Sequence, residues 1–322
     1  ADAYAKLTNK PGICLVSRGP GATNASNGIH TAYQDSTPLI LLIGQVSRNE
    51  RDREAQQEID YKEMFKPMAK YVAEINDANR IPEFINKAFY ISQSGRPGPV
   101  VLSLPEDMLI DEVTAQPVPA SKIVQASPSV GDVEDFYERL KLAKKPIIIV
   151  GGNTWSQDAI NKVKDFVNKN SIPVLTSYRA QDRFDNRNDS YIGHSSYAIP
   201  PETRKRIEDS DFILSLGARL GEVTTQGYTS IKIPKPEQFL VHVHPGIAEI
   251  GSVYCPDIGI NSGMQEFAES LSNLPQIKNP VWKEWCAGAR NEYLNFIKPT
   301  PMSGDLNLSE IIAYLNKTLG ED

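Results

Sequence analysis

A chain of 322 residues, 40% hydrophobic and 23% charged, is long enough for two domains and has the balance of a globular protein. Its formal net charge of -6 and pI near 5.4 argue against nucleic acid or an anionic membrane as the main partner. No apolar run approaches a membrane span and no signal segment opens the chain, so a cytoplasmic location is expected; Cys14, Cys255 and Cys286, odd in number and far apart, suggest neither a disulfide framework nor a zinc site.

The opening ADAYAKLTNKPG reads as the last turns of a helix feeding a strand, and the chain closes directly after another helix, so both ends look cut from a longer polypeptide. Residues 13–17 form a short β-branched run that predicts a buried strand, and Gly19-Pro20-Gly21 breaks it with a turn. Residues 22–33 have helical composition, and Pro38 ends them before a second buried run over 39–43. Two apolar strands joined by one helix predict a right-handed parallel βαβ unit, whose ligand crevice opens at the strands' carboxyl ends, where residues 17–24 sit. Glycines at 19 and 21 let the backbone pass close to a ligand, and the first helical turn offers N–H groups to an anion or ring nitrogen; the same spacing also suits a tight turn with no ligand.

After Val46, SRNERDREAQQEIDYKEMF reads as a loop and a short exposed helix. Residues 76–93 carry Ile81, Phe84, Ile85, Ala88 and Phe89 at helical spacing, with Gly95 as the stop, and a third buried strand follows over 100–104. This first unit, 1–115, reads as an α/β sheet missing its opening strands. Residues 116–130 form a proline-rich linker. From 131 to 278 a helix from Asp132, a strand at 147–150, a helix at 156–168, a strand at 173–176, a helix at 201–208, strands at 212–216 and 239–243 and a helix at 263–271 alternate, as in a second, Rossmann-like sheet. Gly151-Gly152 invites a dinucleotide reading, but Ser177 and Tyr178 occupy the place of the acidic residue that would hold the ribose, so the pair reads as a plain turn. Residues 279–322 read as a helical tail. In it Trp282, Trp285, Ala289, Tyr293 and Phe296 share a face expected to dock on a core, and a short amphipathic helix over 307–319 is apolar at Ile311, Ile312, Leu315 and Leu319. The expected fold class is therefore α/β: two doubly wound parallel-sheet domains with a helical C-terminal tail.

SRGPGATNASNGIHTAYQDSTPLILLIGQV, followed in order by SGRPGPVVLSLPEDM, resembles the pyrimidine-binding domain of thiamine diphosphate enzymes of the acetolactate synthase, pyruvate oxidase and glyoxylate carboligase group. The resemblance is specific over the first third of the chain and looser beyond. It implies an N-terminally incomplete pyrimidine-binding domain, a central domain, and a diphosphate-binding domain outside the chain. It implies that Gly19, Pro20, Gly21 and Asn24 line the pyrimidine side of a pocket shared between subunits of a homodimer or homotetramer. Gln57 matches the glutamine of a family F-Q-E motif that points at the thiazolium and substrate, and with Gly19 it is the catalytic candidate. The family phenylalanine before it is Gln56 here, and Glu106 stands where acetolactate synthases place a lysine, two departures from that enzyme. Arg96 matches an arginine that contacts FAD in flavin-bearing members. Those members share a glycine triplet where this chain has Gly151-Gly152-Asn153 and an acidic strand end where it has His242-Val243-His244-Pro245, so both departures count against FAD.

Thiamine chemistry needs a carboxylate on the aminopyrimidine and a metal site, normally Mg, for the diphosphate. In the family the carboxylate is a glutamate upstream of the GPGATN turn, which would precede Ala1. The family's G-D-G metal motif is absent, since Asp132 after Gly131 and Asp305 after Gly304 lack the second glycine, and no metal ligand is assigned. The resemblance implies a thiamine diphosphate- and Mg-dependent transferase or lyase that decarboxylates a 2-oxo acid and passes the fragment to an acceptor, with this chain alone inactive. Arg18, beside the turn, is a candidate for a substrate carboxylate or equally for a surface acid. His242 and His244 lie on one strand face at a spacing that permits chelation, but with no third ligand they read as a strand-end pair; His30 and His194 add no cluster. Two other classes remain: a non-catalytic nucleotide-binding or regulatory module on the central domain, and an oxalyl-CoA or benzoylformate decarboxylase-type lyase.

Overall fold

In the computed structural model, which describes residues 1–319, α1 (Asp2–Thr8) feeds β1 (Gly12–Val16), and α2 (Gly19–Gln34) returns the chain to β2 (Leu39–Gln45). A loop leads on to α3 (Tyr61–Phe65), β3 (Tyr71–Glu74), α4 (Ile81–Gln93) and β4 (Pro99–Pro105). The strands are all parallel, in the order β1-β2-β4-β3. Side chains alternate across a strand, and the sequence uses the alternation fully. Leu39, Leu41 and Ile43 pack with Ala22, Ile29 and Ala32 of α2 and Tyr61 and Phe65 of α3, whereas Ile40, Val100 and Leu102 face Ala88 of α4. Helices therefore cover both faces, as parallel strands require.

Residues 112–129 cross to the second domain without helix or strand, tied down where Asn79 Oδ1 accepts from Thr114 N at 2.9 Å and where Ala126 O accepts from Gly263 N at 2.9 Å. That domain runs α5 (Val130–Leu142), β5 (Pro146–Val150), α6 (Gln157–Asn170), β6 (Val174–Thr176), β7 (Tyr191–His194), α7 (Pro201–Asp209), β8 (Phe212–Leu216), β9 (Phe239–His244), β10 (Ile258–Asn261), α8 (Met264–Ser272) and α9 (Lys283–Phe296). Its strands form one parallel sheet in the order β10-β9-β8-β5-β6-β7. Ile148, Val150, Leu214 and Val241 face Phe136, Phe166 and Phe267 of α5, α6 and α8; Ile147, Ile149, Ile213 and Leu240 face Ile207 of α7 and Ala289 of α9. Both domains are thus doubly wound α/β units. The last helix, α10 (Leu308–Thr318), is capped by Asn307, which accepts from Ser309 N at 3.0 Å; residues 320–322 of the expected tail lie outside the described residues. Among the described residues no helix is long and apolar enough to cross a membrane.

Several local expectations are corrected. The strand at 13–17 is not buried on both faces: β1 is an edge, and Ile13 and Leu15 are 55% and 70% exposed because no helix covers that side. The helix expected from Ala22 begins at Gly19, because Pro20 has the φ of a first helical turn. The short helix expected to be exposed, α3, buries Tyr61 and Phe65 against the sheet. Strands β3, β7 and β10 were not legible, since each has 4 residues and sits at a sheet edge: β3 and β10 are half-buried, and in β7 Tyr191 and Ile192 are buried but Gly193 and His194 cut the apolar run short. In the aromatic stripe Trp282 is 1% exposed and its indole N–H donates to Asn170 O at 2.9 Å, but Phe296, past the end of the contact, is 53% exposed. Trp282→Ala should therefore destabilise the second domain by about 3–5 kcal/mol, whereas Phe296→Ala should cost less than about 0.5 kcal/mol; the denaturant midpoint of that domain's transition measures both.

Candidate functional site

The first turn of α2 is where the sequence candidates meet. Arg18 is the N-cap residue, with φ −54° and ψ −151°, and its side chain does not cap the helix. The capping acceptor comes instead from far along the chain: Gly19 N donates to Gln57 O at 3.0 Å. This approach needs glycine. A Cβ at Gly19 would lie 2.9 Å from Gln57 O, and one at Gly21 would lie 2.7 Å from Ser17 Oγ. Pro20, Asn24 and the Gln57 side chain are exposed on the outer side of this junction. The structure thus brings Arg18, Gly19, Pro20, Gly21, Asn24 and Gln57 into one neighbourhood.

Charge around the turn is already paired. Arg18 Nη2 forms an ion pair with Glu106, its Nη1 reaches Gln56 O at 3.4 Å, and Glu106 also accepts from Ser47 Oγ at 3.1 Å. Of the two partners open to Arg18 from sequence, a substrate carboxylate or a protein acid, the fold supplies the acid. Beside it, Arg51 pairs with Glu58 at 2.7 Å, and Glu58 also accepts from Asp52 N at 2.9 Å and Ala55 N at 3.2 Å. The Asp52 N–H, with those of Ala55 and Arg53 and the charge of Arg51, holds the Glu58 carboxyl below the usual carboxylate range. Burial pushes the Tyr61 phenol up, and its hydroxyl has no hydrogen-bond partner among the described residues. Sequence reasoning passed over Arg51, Glu58 and Tyr61, whose only signal was a charged stretch that reads as a solvated loop.

Arg96 lies elsewhere, at the opposite end of α2. Its Nη2 donates to Tyr33 O at 2.6 Å, its Nε to Ser36 Oγ at 2.9 Å, and its Nη1 pairs with Glu249 at 2.6 Å. Arg219 from the second domain also reaches Glu249, at 3.1 Å, and Gln34 O, at 3.3 Å, while Asn153 Nδ2 donates to Asp35 O at 2.6 Å. Cationic donors at a helix C-terminus satisfy its last carbonyls and offset its dipole. Next to them a cavity of about 380 Å³ opens at the carboxyl ends of β5 and β6, with Gly152, Asn153, Tyr178, Arg179, Arg219 and Glu222 in its wall. Gly152 and Gly217 pack loop against loop there: a Cβ at 152 would stand 2.5 Å from Gly217 O. His242 donates to Ala218 O at 3.0 Å and His244 Nδ1 accepts from Gly246 N at 3.0 Å; burial lowers both, His244 to about 4 with His242 adding to the shift, so both rings are neutral at pH 7. No cluster of three or more His, Cys, Asp or Glu able to hold a metal occurs among the described residues.

Residues 1–64 match the family described as thiamine pyrophosphate enzyme, N-terminal TPP binding domain, and residues 133–271 match thiamine pyrophosphate enzyme, central domain. The chain belongs to the thiamine pyrophosphate enzymes. It is 34% identical over 330 residues to the acetolactate synthase large subunit of Haemophilus influenzae, a match covering 98% of this chain and 57% of that relative. It is 30% identical over 315 residues to the protein of the same name from Cyanidium caldarium, covering 91% and 52%. Against that of Lactococcus lactis it is 30% identical over 293 residues, covering 88% and 50%. The chain thus spans about half the length of the curated relatives it matches. At the glycine turn Gly19 is buried under Gln57 O and Gly21 lies against Ser17 Oγ, with Pro20, Asn24 and the Gln57 side chain exposed beside them. Two acids near that turn, Glu106 and Glu58, are each held by an arginine.

The contact at the far end of α2 generates a pH-dependent prediction. Burial raises the Glu249 carboxyl, but Arg96 and Arg219 outweigh it and the net displacement is downward. A carboxyl lowered on folding adds stability that is present above its unfolded pKa and is lost as pH falls through the folded value. Glu249→Gln should cost about 1–3 kcal/mol at neutral pH, and urea titrations over a pH series should show the gap to the unaltered chain closing below about pH 4.

Proposed function

We propose that this chain supplies the pyrimidine-side wall and the central domain of a thiamine diphosphate- and Mg-dependent enzyme acting on 2-oxo acids, by decarboxylation, carboligation or both, in the manner of acetolactate synthase. The observation that carries the proposal is the bond from Gly19 N to Gln57 O, which seats the two catalytic candidates read from the sequence against each other although they lie 38 positions apart. The names of the curated relatives support the same chemistry. When bound, the cofactor would supply a thiazolium carbon that, once deprotonated, is nucleophilic toward a carbonyl carbon, and a cationic ring able to take up the electron pair left by departing carbon dioxide. The chain's own part is positional: Gly19 and Gly21 let backbone approach the ring, Pro20 and Asn24 flank it, and the Gln57 carboxamide offers both donor and acceptor toward the reacting side. Arg18, neutralised by Glu106, orders Gln56 and the loop behind it.

In this proposal residues 1–115 form the pyrimidine-binding unit, 116–130 the linker, 131–278 the central unit and 279–322 the connection to a diphosphate-binding domain. The working assembly is a homodimer or homotetramer in the cytoplasm. The catalytic glutamate and the Mg ligands come from outside the chain. A second reading is favoured by one feature, the cavity of about 380 Å³ at the carboxyl ends of β5 and β6, the usual place for a nucleotide in an open parallel sheet. On that reading the central unit binds FAD or another adenine nucleotide, with Arg179 and Arg219 toward its phosphates.

The native gene product should release carbon dioxide from a 2-oxo acid only when thiamine diphosphate and Mg are present, and the 322-residue chain alone should not. Turnover by the isolated chain would overturn the assignment of the missing groups. Calorimetric titration of the chain with FAD and ADP separates the second reading, which requires micromolar binding.

A further inference from the structure

Residues 51–58 form a loop whose backbone is hard to hold. Asp52, Glu54 and Gln57, none of them glycine, have φ of 61°, 56° and 66°. The left-handed region is sparsely populated for side-chain-bearing residues and persists only where the surroundings over-determine it. Apolar burial does not supply that constraint, since Asp52, Arg53, Glu54, Gln56 and Gln57 are exposed. A carboxylate does. Glu58, 10% exposed at its side chain, accepts from Asp52 N at 2.9 Å, Ala55 N at 3.2 Å and Arg51 Nη1 at 2.7 Å, and its own N–H closes the turn on Ala55 O at 3.0 Å. Arg51 carries the anchorage to the sheet: its Nη2 lies 3.7 Å from Glu74 of β3, which accepts from Ser103 Oγ of β4 at 3.3 Å. The loop so wound delivers the carbonyl of Gln57 to Gly19.

We propose that Glu58 is the positioning residue for Gln57, its carboxylate serving as the template that winds residues 51–58 and presses them onto the start of α2. The proposal rests on the role given to Gln57 above, but the geometry it explains does not involve the cofactor. Three donors converge on one part-buried carboxylate, Arg51 Nη1 and Asp52 N on Oε1 and Ala55 N on Oε2, and the ionised form accepts from all of them most strongly. Replacing it by an amide sets a donor against the Ala55 N–H and weakens the charge-assisted bonds that Oε1 accepts from Arg51 and Asp52, and the left-handed residues then relax. The charged and titratable groups around Glu58 are Arg51 in the loop, Glu74 on β3, Tyr61 on α3 and Arg18 before α2.

The test is amide hydrogen exchange in this chain with isotope-labelled glycine, together with trypsin cleavage after Arg53. In Glu58→Gln the protection of the Gly19 amide should drop by about tenfold or more and cleavage after Arg53 should rise comparably, as a local opening does, while amides of β2 and β4 keep their protection. In the unaltered chain the Gly19 protection factor should be full above the ordinary carboxylate range and fall as the pH drops through the lowered Glu58 value; in Glu58→Gln it should be low and flat. Unchanged protection of Gly19 in the variant, or an equal loss across the whole first domain, would overturn the proposal. If Glu58→Gln does not fold, the pH profile of the unaltered chain decides, and its flatness would be fatal. Neither readout uses cofactor or turnover, so this proposal and the enzymatic one can fail separately.

Discussion

A helix leaves N–H groups unsatisfied at one end and carbonyls at the other, and this structure is arranged around how α2 meets that requirement. At its start the acceptor is Gln57 O, bonded to Gly19 N at 3.0 Å, so the glycine turn and the 51–58 loop form one unit. At its finish the donors are Arg96, Asn153 and Arg219, reaching the carbonyls of Tyr33, Asp35 and Gln34. Two of those three donors belong to the second domain. The helix of 16 residues is therefore about 24 Å of rigid rod with the glycine turn at one end and the central domain at the other.

The electrostatics follow from the same frame. Carboxylates near the two ends are not left free: Glu106 and Glu58 are held by Arg18 and Arg51, and Glu249 by Arg96 and Arg219. Ion pairs of this kind contribute modestly when exposed, and more when, as with Glu58 and Glu249 at 10% and 12% exposure, they are nearly shut off from water. Their consequence is geometric. They hold the 51–58 loop and the domain contact in single positions.

Much of this was legible in the linear chain. Continuous apolar runs such as LILLIG and PIIIV determined central strands buried on both faces, because only parallel strands covered by helices tolerate them. The GPGATN stretch determined a sharp break after the first strand and, with SGRPGPV, carried the family resemblance; the domain matches bear the family out, but the structure starts the helix at Gly19 rather than Ala22. What only the tertiary structure decided lies in contacts between distant segments. Edge strands β3, β7 and β10 are defined by their neighbours rather than by their own composition. Arg96 looked like a cofactor contact or a helix-end charge and became a strut between domains, and Glu58 looked like one more charge in a solvated loop. A hydrogen bond between residues 38 positions apart, as from Gly19 to Gln57, leaves no periodic trace in sequence, because its energy depends on where the sheet has already placed both backbones.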